Sequence, residues 1–188
     1  MVEKYLVVIR GVKPLLMHKP VGLGDVPKLR RGEHLPPEEE AKMYIYTDLQ
    51  GNIVIPSINI KAMLRDAGRN YKISGRRTTY GAMIRAGIDI EPFYVPLRDP
   101  ETKKIYHIKD KCWEIDIRPV VVQRSRILRA RPRFDKWELE FTIVNKDPTV
   151  LLRETMKKIV VDAGKWIGLG DFRPEFGLFK VEKFEVVK

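Results

Sequence analysis

The stretch VVVQRSRILRARPRFDKWELEFTIV, residues 120–144, carries the densest chemistry in the chain. Five arginines, Arg124, Arg126, Arg129, Arg131 and Arg133, alternate with apolar or small residues, and Phe134 and Trp137 follow at once. Guanidinium forks match phosphate oxygens two at a time, and aromatic rings stack on unpaired bases. Asp135 is the one acid inside the basic run, so the sequence offers these cations little local counter-charge. The spacing predicts a basic hairpin, protruding over about 123–136 between strands at 115–122 and 137–144, that meets a polyanion. The competing reading is a solvated hairpin whose arginines pair with nearby acids.

A second constellation, SGRRTTYGAMIR at 74–85, places Arg76, Arg77, Tyr80 and Arg85 near Gly75 and Gly81. Glycine lets a backbone approach a phosphate closely, and the tyrosine could stack. The bland reading is a basic loop that touches nothing. The third, WIGLGDFRPEFGLF at 166–179, crowds three glycines, an arginine and a proline between a helix and a strand. Phosphate-binding glycine loops follow a strand and open a helix, because the helix N-terminus is positive. Here the order is reversed, which excludes a P-loop or a dinucleotide fingerprint. A helix cap explains Gly168. Gly170, Arg173 and Gly177 are left as a loop whose amides and guanidinium could reach a backbone phosphate, although Asp171 and Glu175 place two acids within it.

Three histidines, His18, His34 and His107, are the candidate general bases. His18, beside Lys19 at the end of the first strand region, is the one whose position suits acid–base work. Such a residue is more often ordinary strand-end chemistry, so the primary expectation is binding without catalysis. No carboxylate pair has metal-nuclease spacing and no serine elbow is present, so neither a metal nor a cofactor is expected. The single cysteine, Cys112, excludes an internal disulfide and a cysteine-based zinc site, and reads as a buried structural thiol in a reducing, cytoplasmic setting.

These residues need a scaffold. KYLVVIRGV at 4–12 reads as a central strand, and 19–41 as an irregular insertion rich in proline, glycine and charge. MYIYTDLQGNIVIP reads as a hairpin turning at 50–52, with Gly51 at positive φ. A helix follows with Ser57 as N-cap and Ile60, Met63, Leu64 and Ala67 on its apolar face. Strands are expected in GIDIEPFYVPL and KKIYHIKDKCWEIDIRPVVV. A last helix is expected from Asp147 as N-cap through Leu152, Met156, Ile159 and Ala163, and a final strand in FGLFKVEKFEVV, whose alternation is imperfect. The order implies one domain over 1–188: a ferredoxin-like, RRM-like α+β fold, with two helices on one face of an antiparallel sheet, the inserted loop and the basic hairpin at about 115–144.

The 188 residues carry 36 Lys and Arg against 25 Asp and Glu, a net charge of +11, with 44% hydrophobic residues. That excess favours a polyanion, nucleic acid first. A thermophile's heavily charged surface is the alternative, consistent with many Lys and Glu and few Asn and Gln. No apolar run is long enough to span a membrane.

PLLMH at 14–18, RPRFDKW at 131–137 and GLGDFRPEFGLF at 168–179 together resemble the repeat-associated mysterious protein (RAMP) superfamily, which includes backbone and guide-binding subunits of CRISPR effector complexes. The last motif is also similar to the carboxyl ends of phage and mobile-element proteins. The resemblance implies a protein that binds single-stranded RNA or DNA, RNA favoured, without sequence preference and in side-by-side copies. Two alternatives stand beside it: a metal-independent ribonuclease of the same fold, and a structural subunit whose basic face meets an acidic protein.

Overall fold

The computed structural model describes residues 2–22, 35–122 and 125–187. In chain order its elements are β1 (Glu3–Gly11), β2 (Leu15–Leu16), α1 (Pro37–Met43), β3 (Val54–Pro56), α2 (Ser57–Gly68), α3 (Tyr80–Gly87), β4 (Ile88–Glu91), β5 (Tyr94–Arg98), β6 (Glu114–Val122), β7 (Ser125–Phe134), β8 (Glu138–Asn145), α4 (Arg153–Asp162) and β9 (Phe179–Val187). The strands form two antiparallel sheets. The larger runs β3-β5-β8-β1-β9 with β4 also on β8, and the smaller runs β2-β7-β6. The fold is α+β, with four α-helices among the described residues, two more than the sequence reading expects. In α1, Pro37 sits in the first turn with Glu38, Glu39 and Glu40 at the positive end, so a segment expected to be irregular closes in a helix. Two glycines in eight residues hide α3 from a propensity reading.

Apolar residues at helical and strand periods build the core. Ile60, Met63, Leu64 and Ala67 of α2, with Met156, Ile159 and Val160 of α4, meet Tyr5, Val7 and Ile9 of β1 and Leu139, Phe141 and Ile143 of β8. Each Val, Leu, Ile, Met or Phe among them contributes about 1.5–3 kcal/mol on full burial. The helix starts differ from those expected, α2 one residue earlier and α4 later. Pro56, not Ser57, holds the N-cap position of α2, and the Ser57 N–H donates to Phe93 O at 2.8 Å. Asp147 accepts from Thr149 Oγ1 at 2.6 Å and from the Val150 N–H, which makes a capped turn; α4 opens only at Arg153. Its end widens into a π-type turn at Ala163–Ile167. The imperfect alternation of β9 is a β-bulge: Val181 pairs with Ile9 and Lys183 with Val8, leaving Glu182 as the extra residue.

The face of the large sheet away from the helices is not an aromatic platform. Arg10 pairs with Glu138, and Val8 with Glu140, along β1 and β8. Glu138 is 1% exposed, and Arg98 and Lys103 both approach its carboxylate, at 2.7 Å and 2.6 Å. A charge that deep is tolerable only when paired in this way. RNA recognition modules stack bases on aromatic residues of this face. Here an ion-pair ladder occupies it.

Candidate nucleic-acid interface

The basic segment is itself a strand. β6 and β7 pair from Glu114↔Arg133 to Val122↔Ser125, so the arginines run along β7 rather than around a hairpin tip. The 137–144 segment, expected as the second arm, is β8 of the large sheet. Because side chains alternate, Arg129, Arg131 and Arg133 share one face and Arg126 lies on the other. The first three are answered by acids. Arg129 Nη1 lies 2.9 Å from Glu40 of α1, Arg131 Nε 2.5 Å from Asp171, and Arg133 Nε 2.7 Å from Asp135. Arg126 is exposed and makes no ion pair among the described residues. Arg124 lies outside the described residues, as does His34.

Phe134 and Trp137 are both 0% exposed, so neither offers a ring face to a base. Phe134 pairs with Leu15 across β2 and β7, and Trp137 Nε1–H donates to Lys13 O at 2.9 Å beneath β1. The exposed rings lie elsewhere. Phe93 and Tyr94, edge to face at 4.9 Å, project from the β4–β5 turn, and Trp166 projects from the end of the α4 segment beside Lys165. A turn proline at 92 and a break in apolar periodicity at Trp166 were the available signals.

The loop at 168–177 is stitched to the protein's own backbone. Gly168, Leu169, Asp171, Phe176 and Gly177 donate their N–H groups to Ala163, Gly177, Leu16, Phe172 and Pro14 carbonyls, at 2.8–3.1 Å. These amides are therefore not a phosphate cradle. Gly170 and Gly177 have φ of +84° and +74°, and a Cβ would collide with Leu16 O at the first and Leu169 O at the second. Close approach to β2 and within the loop is what requires glycine. Arg173 is exposed but partnered: Nη1 lies 3.4 Å from Gly168 O and Nη2 3.8 Å from Asp66. At the loop's tip Phe172, at φ +53°, lies 4.9 Å below the Arg131 guanidinium, and Phe176 lies 4.6 Å below that of Arg118. These ring–cation stacks fasten the loop to the small sheet.

The stitching gathers His18, Arg131, Gly170 and Arg173 around one cleft of about 420 Å³, with Asp171 and the first turns of α2 completing it. His18 Nδ1 is 3.6 Å from Asp171 Oδ2, and its ring lies 4.3 Å from that of Tyr44. The His18 contact, followed by the Arg131 charge, holds the Asp171 carboxyl at about 2, below the ordinary 3.8, against the opposing pull of partial burial. His107 has a structural role. Nδ1 accepts from the Lys109 N–H at 3.2 Å, which leaves Nε2 as the donor to Gln50 O at 3.1 Å. Burial pushes the half-buried Cys112 thiol up to about 11.

No family model matches the chain, and no curated protein matches it. Among solved structures it is similar to a chain in the cryo-EM structure of the Type III-B Cmr-beta bound to cognate target RNA, with a TM-score of 0.61 at 17% identity. The match covers 100% of this chain and 61% of the other. The likeness is one of fold.

The other arginine-rich segment stands apart from the cleft. Arg76, Arg77 and Arg85 are exposed and make no ion pair among the described residues, and Gly75, at φ +72°, has open space where a Cβ would point. Tyr80, read as a stacking residue, opens α3 and packs half-buried on the core. Among the described residues no helix is long and apolar enough to cross a membrane.

Proposed function

We propose that the chain binds single-stranded nucleic acid, RNA before DNA, through backbone phosphates and without base preference. The observation that carries this reading is the set of exposed arginines without an ion pair among the described residues, Arg76, Arg77, Arg85, Arg126 and Arg153, on a chain of net charge +11. The α+β fold supports it: we read β1, α2, the β4–β5 pair, β8, α4 and β9 as a ferredoxin-like order, and the glycine loop between α4 and β9 resembles that of RAMP proteins. The solved structure of similar fold belongs to a Cmr-beta bound to target RNA. On this reading 1–188 is one ferredoxin-like domain with an insertion near 19–41, and copies stand side by side along a strand.

Fluorescence anisotropy with labelled single strands in EDTA tests the proposal. Binding should weaken steeply with salt and vary little with sequence, and native mass spectrometry should show more copies on longer strands. Strands that stay unbound at low salt would refute it and leave the acidic-protein reading. A second reading is favoured by one contact: the Asp171 carboxylate lies 3.6 Å from His18 Nδ1, on the side from which it could orient the imidazole as a general base. Strands cut in EDTA by the wild type and left intact by His18→Ala would make the protein a metal-independent ribonuclease.

A further inference from the structure

We propose that the cleft between β2, the start of α2 and the 168–177 loop is a binding site for a nucleoside monophosphate, with its phosphate at Arg131. This goes beyond strand binding, since none of the unpaired surface arginines lines the cleft. Arg131 is 6% exposed and lines the cleft. Its Nε is taken by Asp171, while its Nη1 is buried and has no hydrogen-bond partner among the described residues. A buried donor in that condition is costly, more so when charged, and an anion in the cleft would supply the missing acceptor.

Three further features point the same way. Arg173 brings a second guanidinium to the wall, and His18 a third group able to donate. Asn59 lines the cleft from the first turn of α2, a helix of 12 residues whose N-terminus has no side-chain cap and no acid in its first turn. No acid offsets the positive end of that helix, although its Ser57 N–H is already taken by Phe93 O. Asp171 is the one acid on the wall, and its charge is already met by Arg131. The remaining lining fixes the size of the ligand. A volume of about 420 Å³ exceeds what a bare phosphate fills, and Met17, Ile55 and Leu169 give it an apolar wall suited to a base or sugar.

Calorimetric titration of the full chain in EDTA with adenosine 5′-monophosphate, adenosine and inorganic phosphate tests the site. The monophosphate should bind at least about tenfold more tightly than either fragment, because the charge and the apolar wall are both used. Asn59→Asp, the same size and favourable in a helix's first turn, should leave the thermal midpoint unchanged and weaken the monophosphate about tenfold by like charge. Adenosine binding should not change. Equal binding of monophosphate and adenosine, equal binding of monophosphate and phosphate, or an Asn59→Asp protein that binds the monophosphate normally would each overturn the proposal. Short single strands with 5′-phosphate or 5′-hydroxyl ends then identify the source. A preference for phosphate that vanishes in Asn59→Asp assigns the site to strand ends, whereas equal binding beside intact monophosphate binding assigns it to a free nucleotide. Arg76→Ala with Arg77→Ala should weaken strands and spare the monophosphate, so failure of either proposal is visible without the other.

Discussion

Two arginine-rich segments of this chain differ in what answers their charge. In β7, Arg129, Arg131 and Arg133 each meet a carboxylate, and Arg131 lies among core side chains. Between residues 75 and 85, Arg76, Arg77 and Arg85 meet none among the described residues and face solvent. The paired cations of β7 help hold the molecule together, though Arg131 keeps an Nη1 without an acceptor, and those of the sparser segment carry no such tie among the described residues. Arginine density in a sequence thus measures charge, not vacancy. What decides is whether the fold delivers acids, and Glu40 and Asp171 reach β7 from 89 and 40 residues away.

If that contrast holds, damage to the β7 side should appear as lost stability and damage to the 75–85 side as lost affinity. The largest effect is expected at Gly177→Val, where a left-handed φ and a collision with Leu169 O combine. It should cost more than about 3 kcal/mol in urea unfolding, and an unchanged midpoint would break the clamp account. Next comes Arg131→Ala, which strands Asp171 and unfastens Phe172. About 2–3 kcal/mol is expected, below the fully buried figure because Asp171 is one-third exposed.

The same pair sets an acid response. Asp171 has a folded pKa of about 2 against an ordinary 3.8, so its contribution is complete above 3.8 and is lost as pH falls toward 2. Asp171→Asn should flatten the stability–pH curve in that window, and an identical curve would show that the ion pair is idle. Replacing Arg76 and Arg77 together by Ala should leave stability within about 0.5 kcal/mol while reducing the salt slope of single-strand binding by about 1.4. The smallest effect is a slope loss of about 0.7 for Arg126→Ala. Were Arg129→Ala to match it with stability intact, the division between the two segments would fail.

Local chemistry was legible and long-range pairing was not. The apolar stripe of α2 is buried as its period requires, and Gly51 has the positive φ, +86°, that its turn demands. Phe134 and Trp137 looked available because a basic run precedes them, yet strand alternation carries Phe134 inward and Trp137 finds a carbonyl on β1's far side, at Lys13. The cleft was half readable. Its loop and His18 stood out, but Asn59 and Asp171 acquire meaning only when α2 and β2 are brought against that loop. Asp147 signals a cap in either case, and nothing in the sequence says that it caps a turn rather than the helix.

Glu40 does more than neutralise Arg129. Its carboxylate also accepts the Ala130 N–H at 3.1 Å, on the edge of β7 that β2 leaves uncovered. A helix side chain thereby occupies a position where a neighbouring molecule's strand could otherwise begin to zip on. Among the described residues β6 has no strand on its outer edge, so lengthening of the small sheet by a further strand is favoured on that side. Glu40→Ala would remove the stopper, and the liability it exposes is fibrillar self-pairing, seen as turbidity at high concentration long before any loss of fold.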